Sequence, residues 1–202
     1  MKIDLASTKG KIIKAAIELF PEKGYENTSM KKIAELAGVT KPAVYYYFEN
    51  KEEMFKEIIK IGQEHGLARV RDILESDSSF KEKLIALVLA RFTIHEKSPE
   101  VEKFISWANT NGLQYVIKIC KSKEDNSVDR LRELLIDFLK KEIDGGTLKS
   151  NVNAEQLLAL LAGGINYHTK EYYMMGKDKI GRNEAKDMID VLLYENVNNK
   201  KE

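Results

Sequence analysis

With 202 residues, 43% of them hydrophobic, the chain is long enough to bury a core, either as one helical domain or as a small domain joined to a larger one. No run approaches the ~18 uninterrupted apolar residues of a membrane span, and Met1-Lys2-Ile3-Asp4 lacks the apolar centre of a signal peptide, so cytoplasmic residence is expected. A net charge of +1 excludes a strongly basic, non-specific nucleic-acid binder, and a lone cysteine, Cys120, excludes an internal disulfide and suits a small buried hydrophobe.

Three prolines and twelve glycines punctuate the sequence, while apolar residues recur at three- and four-residue spacing, so the chain reads as all-helical. The first helix is predicted from about Ser7 to Lys23, with Ile13, Ala16, Ile17 and Phe20 on one face and Gly24 as its stop. A short second helix, Ser29 to Ala37, turns Ile33, Ala34 and Ala37 inward and closes at Gly38. The third starts almost at once: Thr40 is a good N-cap, Lys41 and Pro42 fall in the first turn, and Val44 with Phe48 form an i, i+4 apolar pair. Asn50 and Glu53 make a capping-box variant that opens a fourth helix running to about Glu75.

Ser79 and Glu82 cap a fifth helix carrying Leu84, Leu87, Val88 and Phe92, and Ser98-Pro99 separates it from a sixth through Phe104 and Trp107. Asn109 to Lys123 reads either as an extension past Gly112 or as a separate short helix on Tyr115, Val116 and Ile119. A strongly periodic helix follows from about Ser127 to Ile143, ended by Gly145-Gly146. The last two helices run from Asn153 to about Met175 and from about Arg182 to Asn196. The final one is amphipathic. The one before it is apolar nearly all round at Leu157 to Ala162, which demands burial on more than one side. A second copy of the chain supplies that side most simply, with Gly163-Gly164 allowing close backbone approach. The expected homodimer surface is Leu157, Leu160, Leu161, Gly163, Gly164, Met188 and Leu192.

Two short helices joined at Gly38, the second pinned by Val44 and Phe48, make a helix-turn-helix layout that places a recognition helix in the DNA major groove. Lys41, Pro42, Tyr45 and Tyr46 project from its other face, offering one cation and two phenols to phosphates and base edges. Ser29, Lys31 and Lys51 stand at helix starts, where N–H groups also favour phosphate oxygens. Residues 1–60 hold 11 lysines against 9 Asp plus Glu, and the remainder 22 basic residues against 23 acidic. DNA binding must therefore rest on geometry more than on charge.

Ile12 to Gly24 (IIKAAIELFPEKG), Tyr25, the run Ile33 to Lys41 (IAELAGVTK) and Val44 to Glu53 (VYYYFENKEE) together resemble the DNA-binding domain of the TetR (tetracycline-repressor) family. The resemblance implies about nine helices, a DNA-binding domain over residues 1–50, a ligand-binding and dimerisation domain over residues 51–202, a pseudo-palindromic operator, and release from it by a small-molecule effector that is at least partly apolar. By position, the family's DNA contacts fall on Ser29, Met30, Lys31, Lys41, Pro42, Ala43, Tyr45, Tyr46, Tyr47 and Lys51. Met30 stands where a hydroxyl residue is common, and Tyr47 replaces a frequent histidine.

Candidates for the effector cavity are the large residues of the central helices: Phe92, His95, Phe104, Trp107, Tyr115 and Tyr167. His65, His95 and His168 lie on separate helices with no i, i+4 partner, so no metal site is expected. No nucleophile elbow, P-loop or dinucleotide fingerprint is present, so neither a cofactor nor enzymatic activity is expected. The alternative is a lipid or hydrophobic-ligand binding protein of the same fold without DNA binding. The intact Thr40, Lys41, Tyr45 and Lys51 argue against it.

Overall fold

A computed structural model of the chain describes residues 6–93, 99–120 and 127–198. Among them are ten α-helices: α1 (Thr8–Lys23), α2 (Met30–Ala37), α3 (Lys41–Tyr47), α4 (Lys51–Glu75), α5 (Phe80–Thr93), α6 (Pro99–Asn109), α7 (Leu113–Cys120), α8 (Ser127–Asp144), α9 (Ala154–Met175) and α10 (Arg182–Leu193). The expected all-helical class holds. Extended pairing among the described residues is confined to one antiparallel bridge, Leu148 to Val197. None of the helices searched is long and apolar enough to cross a membrane.

The tenth helix arises where the sequence left two readings open. The chain breaks after Asn109, because Gly112 closes back with its N–H on the Trp107 carbonyl at 2.7 Å. A β-carbon at Gly112 would lie 2.8 Å from the Trp107 ring, so only glycine passes there without displacing the indole. A separate α7 follows. At the other end, α10 stops at Leu193, three residues short of expectation.

The described helices form two compact units that do not follow chain order. The first holds α1, α2, α3, α4 as far as His65, α6 and α7. Its centre is α1, which packs on α2, α3 and α6. With neighbours on several sides, α1 buries Ile12, Ile13, Ala15, Ala16, Leu19 and Phe20, a wider set than the single stripe read from periodicity, and Ile17 is only half-buried. Each large side chain so buried stabilises the unit by about 1.5–3 kcal/mol before entropy is counted. Phe20 lies among rings: Trp107 stacks on it at 6.1 Å and 9°, and Phe55 meets it edge-on at 5.4 Å.

The second unit holds α4 from Gly66 onward, α5 and α8 to α10. Its core combines Leu84, Ile85, Val88 and Phe92 with Phe138, Leu139 and Leu148, and with Leu157, Leu161, Ala185, Ile189 and Leu193. Asn153 caps α9 by accepting from the N–H groups of Glu155 and Gln156, both at 3.0 Å. The helix that reads as apolar all round spends one face internally, on Leu157 and Leu161, and leaves Leu160 65% exposed on the other.

Candidate nucleic-acid interface

Side-chain caps start α2, α3 and α4, as Ser7 does α1 by accepting from the Gly10 N–H at 3.0 Å. Ser29 Oγ accepts from the Lys32 N–H at 3.3 Å, Thr40 Oγ1 from Ala43 at 3.3 Å, and Asn50 Oδ1 from Glu53 at 2.8 Å. Each satisfies a donor that the first turn leaves unpaired and contributes about 1 kcal/mol. The carboxylate of Glu53 reaches back to the N–H of Glu49 at 2.5 Å, one residue earlier than an ideal capping box. Between α2 and α3, Gly38 adopts φ 66°, ψ 32° and donates to the Ala34 and Glu35 carbonyls. That left-handed conformation is strained for any residue with a β-carbon, so glycine sets the angle between the two helices.

Helix α3 divides its faces as expected. Val44 is fully buried and Phe48 is 2% exposed, while Tyr45 is 47% and Tyr46 82% exposed. Lys41 and Pro42 are exposed, and the Lys41 ammonium stands 5.7 Å from the Tyr45 ring centre. Two exposed tyrosines, Tyr45 beside the exposed Lys41 and Tyr46 next in sequence, on a helix anchored by fully buried side chains, are an arrangement a groove or a phosphate backbone can use. Tyr47 is half-buried and packs against the core, with its ring 5.0 Å from that of Tyr46. Ala43 is half-buried.

Among the flanking residues, Ser29 is exposed as the N-cap of α2, and Lys31 is exposed with an ion pair to Glu35 at 3.7 Å. Two residues carried over from the family pattern lie elsewhere. Met30 is only 7% exposed and packs in the core, because an apolar side chain at the first position of α2 gains more from burial than from facing a phosphate. Lys51 folds back: its ammonium donates to the Tyr25 carbonyl at 2.5 Å and the Glu26 carbonyl at 3.4 Å, and lies 4.2 Å from the centre of the Tyr25 ring. Burial there pushes its pKa down, against the opposing charge of Glu26. The Tyr25 phenol, 8% exposed, is pushed up to about 12 by burial, with Glu52, Glu26 and Tyr115 adding to the rise.

Sequence reading missed three contributors. Thr28, 1% exposed, donates its hydroxyl to the Gly24 carbonyl at 2.8 Å and so braces the turn from α1 to α2. Lys9 pairs with Glu57 at 2.9 Å, joining α1 to α4, and lies 5.5 Å from the Phe48 ring. A threonine four residues after the helix-ending Gly24 is the one signal the sequence offers. Nothing in the sequence marked the Lys9–Glu57 pair.

Of the six effector candidates, Phe104, Trp107 and Tyr115 belong to the first unit and Phe92 and Tyr167 to the second. Phe104 and Trp107 are buried in the first unit, and Tyr115 packs against the same core. There Tyr115 stacks on Tyr25 at 4.8 Å, and Phe104 lies 6.4 Å from Phe20. Phe92 is buried in the second unit, meeting Tyr172 edge-on at 6.1 Å. Tyr167 is 59% exposed on α9, donating to Glu171 Oε1 at 2.9 Å. His95 lies outside the described residues.

The expected dimer residues divide as well. Leu157 and Leu161 are each 4% exposed, buried in the protomer's own core, so they cannot face a partner. Met188 and Leu192 are half-buried. The close approach expected of the glycine pair is intramolecular at Gly164, where a β-carbon would stand 2.7 Å from Met188 Sδ of α10; Gly163 is open, with nothing within 4 Å. Outward-facing Leu160, Tyr167 and Met174, 59–65% exposed, repeat at seven-residue spacing along α9.

A family profile described as "Bacterial regulatory proteins, tetR family" matches residues 12–58, the segment holding most of α1 through the start of α4. The chain is 34% identical over 150 residues to the HTH-type transcriptional repressor KstR2 of Mycobacterium tuberculosis, covering 74% of this chain and 73% of that one. It is 24% identical over 193 residues to the fatty acid metabolism regulator protein of Bacillus subtilis (strain 168), covering 94% and 95%. In fold it is similar to the fatty acid degradation regulator FadR from Bacillus halodurans, with a TM-score of 0.75, 20% identity and 96% of each chain covered.

Proposed function

Since this chain belongs to the tetR family of bacterial regulatory proteins and is a DNA-binding transcriptional regulator, we propose that it works as a homodimeric repressor. It sits on a pseudo-palindromic operator in the cytoplasm and is released by a small molecule. The observation that carries this reading is the two-faced α3: Lys41, Pro42, Tyr45 and Tyr46 exposed, Val44 and Phe48 buried. Lys41, Tyr45 and Tyr46 read the major groove, with Pro42 and Ala43 at its entrance. Ser29, Lys31 and the α2 N-terminus hold phosphates, and Tyr47 stiffens the helix from behind.

Residues 1–50 carry the DNA contacts in this proposal, and residues 51–202 the effector and dimer functions. The partner surface is the exposed stripe Leu160, Gly163, Tyr167 and Met174 of α9, with Val191 of α10, itself 79% exposed. Dimerisation there supplies two recognition helices, which a palindromic site needs at a spacing of ~34 to 36 Å. The names of the relatives, which refer to fatty acid metabolism and, for KstR2, to a ketosteroid transcriptional regulator, support an effector with a large apolar part. Such a molecule acts by binding the DNA-free state more tightly than the bound one.

The test is selection of duplexes from a random pool by the full chain, followed by gel shifts at low and raised salt. A repressor of this kind enriches a two-fold symmetric sequence and binds it at least ~10³-fold more tightly than random duplex. Enrichment of no sequence would remove the DNA-binding reading altogether.

A further inference from the structure

We propose that Lys51 and Tyr115 are positioning residues for the DNA-reading helices, gripping the turn between α1 and α2 through Tyr25, and that Lys51 makes no phosphate contact. This rests on the DNA-binding function proposed above. An ammonium has three donors. Those of Lys51 have the carbonyls of Tyr25 at 2.5 Å and Glu26 at 3.4 Å to serve, and the cation lies 4.2 Å from the Tyr25 ring centre. A solvated surface lysine is a mobile point charge that phosphates capture easily; this one is half-buried and would have to abandon two carbonyls and a ring to reach DNA.

What it holds matters for reading. The two carbonyls belong to the turn whose Thr28 hydroxyl is bonded to Gly24 O at 2.8 Å and whose next residue, Ser29, caps α2. The direction of α2 is set there, and Gly38 passes it on to α3. The Tyr25 ring also stacks on Tyr115 of α7 at 4.8 Å and 29°, and Tyr115 stacks in turn with Trp107 of α6 at 6.4 Å and 15°. Helix α7, far from α3 in sequence, therefore grips the same turn as Lys51. A displacement of α7 changes the aim of α2 and α3 without touching DNA.

Salt separates the two roles of a lysine. Removing a cation that touches phosphate lowers the slope of log K against log[salt] by about 0.9 per copy, about 1.8 for the dimer, and weakens specific and random duplexes alike; removing a positioning side chain weakens the specific duplex and leaves the slope unchanged. The probes are the duplex enriched by the wild-type chain and a random duplex of equal length, titrated by anisotropy from low salt to roughly 300 mM KCl. Expected for Lys51→Met and for Tyr115→Leu is a drop of about tenfold in the ratio of specific to random affinity, at unchanged slope. Lys51→Arg, which keeps donors and cation, restores most of the ratio. Lys41→Ala supplies the control with a lowered slope. Should Lys51→Met unfold, Lys51→Arg and Tyr115→Leu decide alone. A slope lowered by Lys51→Met as by Lys41→Ala, or an unchanged ratio in Tyr115→Leu, overturns the proposal while leaving the operator reading intact. A wild-type chain that enriches no duplex overturns both, and is told apart by the first titration.

Discussion

Tyr46→Ala separates the two faces of α3. The ring is 82% exposed and meets Tyr47 edge-on at 5.0 Å. An edge-to-face pair contributes about 0.5–1.5 kcal/mol, and solvent on the remaining ring surface puts the cost of removing it at the low end, about 0.5 kcal/mol. For a chain of this size that lowers Tm by about 1–2 °C. The effect on DNA is larger. A dimer carries two copies of Tyr46, and each half-site gives up one neutral hydrogen bond or one ring-to-methyl interaction. At about 1 kcal/mol apiece, the pair weakens operator binding by about 30-fold. Val44→Ala gives the opposite pattern: a fully buried valine loses two methyl groups, at a cost of about 2 kcal/mol and about 4–8 °C. Thermal melts followed by circular dichroism and anisotropy titrations on the enriched duplex read both quantities. If Tyr46→Ala lowered Tm as far as Val44→Ala, or left operator affinity untouched, the division of faces would be wrong.

Three further outcomes follow from the same geometry. Gly62→Ala and Gly66→Ala, inside α4 where a β-carbon meets nothing within 4 Å, should each raise stability by up to about 1 kcal/mol in urea titrations; a decrease would mean those positions are packed in solution. Tyr25 has its phenol pKa raised from 10.0 to about 12, so its contribution is whole below pH 10, where both folded and unfolded chains are protonated. It fades as pH rises from 10 to 12, because the unfolded chain ionises first. Wild type should lose about 2–3 kcal/mol relative to Tyr25→Phe across that window, and parallel pH profiles for the two proteins would refute the assignment. Leu160→Glu places a charge in the exposed stripe of α9, and sedimentation should show the dimer replaced by a folded monomer; a persistent dimer would move the partner surface elsewhere.

The first unit was largely legible in the sequence because its signals are local. Ser29, Thr40 and Asn50 cap where cap residues should, Gly38 takes the left-handed turn, and Val44 with Phe48 mark the buried side of α3. Periodicity says that a face is buried but not by what. Thus Phe104, Trp107 and Tyr115 read as cavity candidates when they are core, since nothing local reveals that α6 packs on α1, some eighty residues earlier. The same blindness put Leu157 and Leu161 on the partner surface together with Leu160. On a helix apolar all round, the protomer's own core and a partner's leave identical patterns. Lys51 carries a third ambiguity: a lysine at a helix start looks the same in sequence whether its ammonium turns outward or, as here, back to the Tyr25 carbonyl.

Trp107 is the chain's one tryptophan, and it stands among Phe20, Phe55, Phe104 and Tyr115, in the unit that carries α3. Its emission is therefore an optical label already installed on the DNA-reading half. Excited at the red edge of its absorption, where tyrosine does not absorb, the unmodified protein reports repacking around α1, α6 and α7 without a contribution from the tyrosines on α9. An effector that quenched or shifted that emission would announce that its binding had reached the reading helices, in a cuvette and with no DNA present.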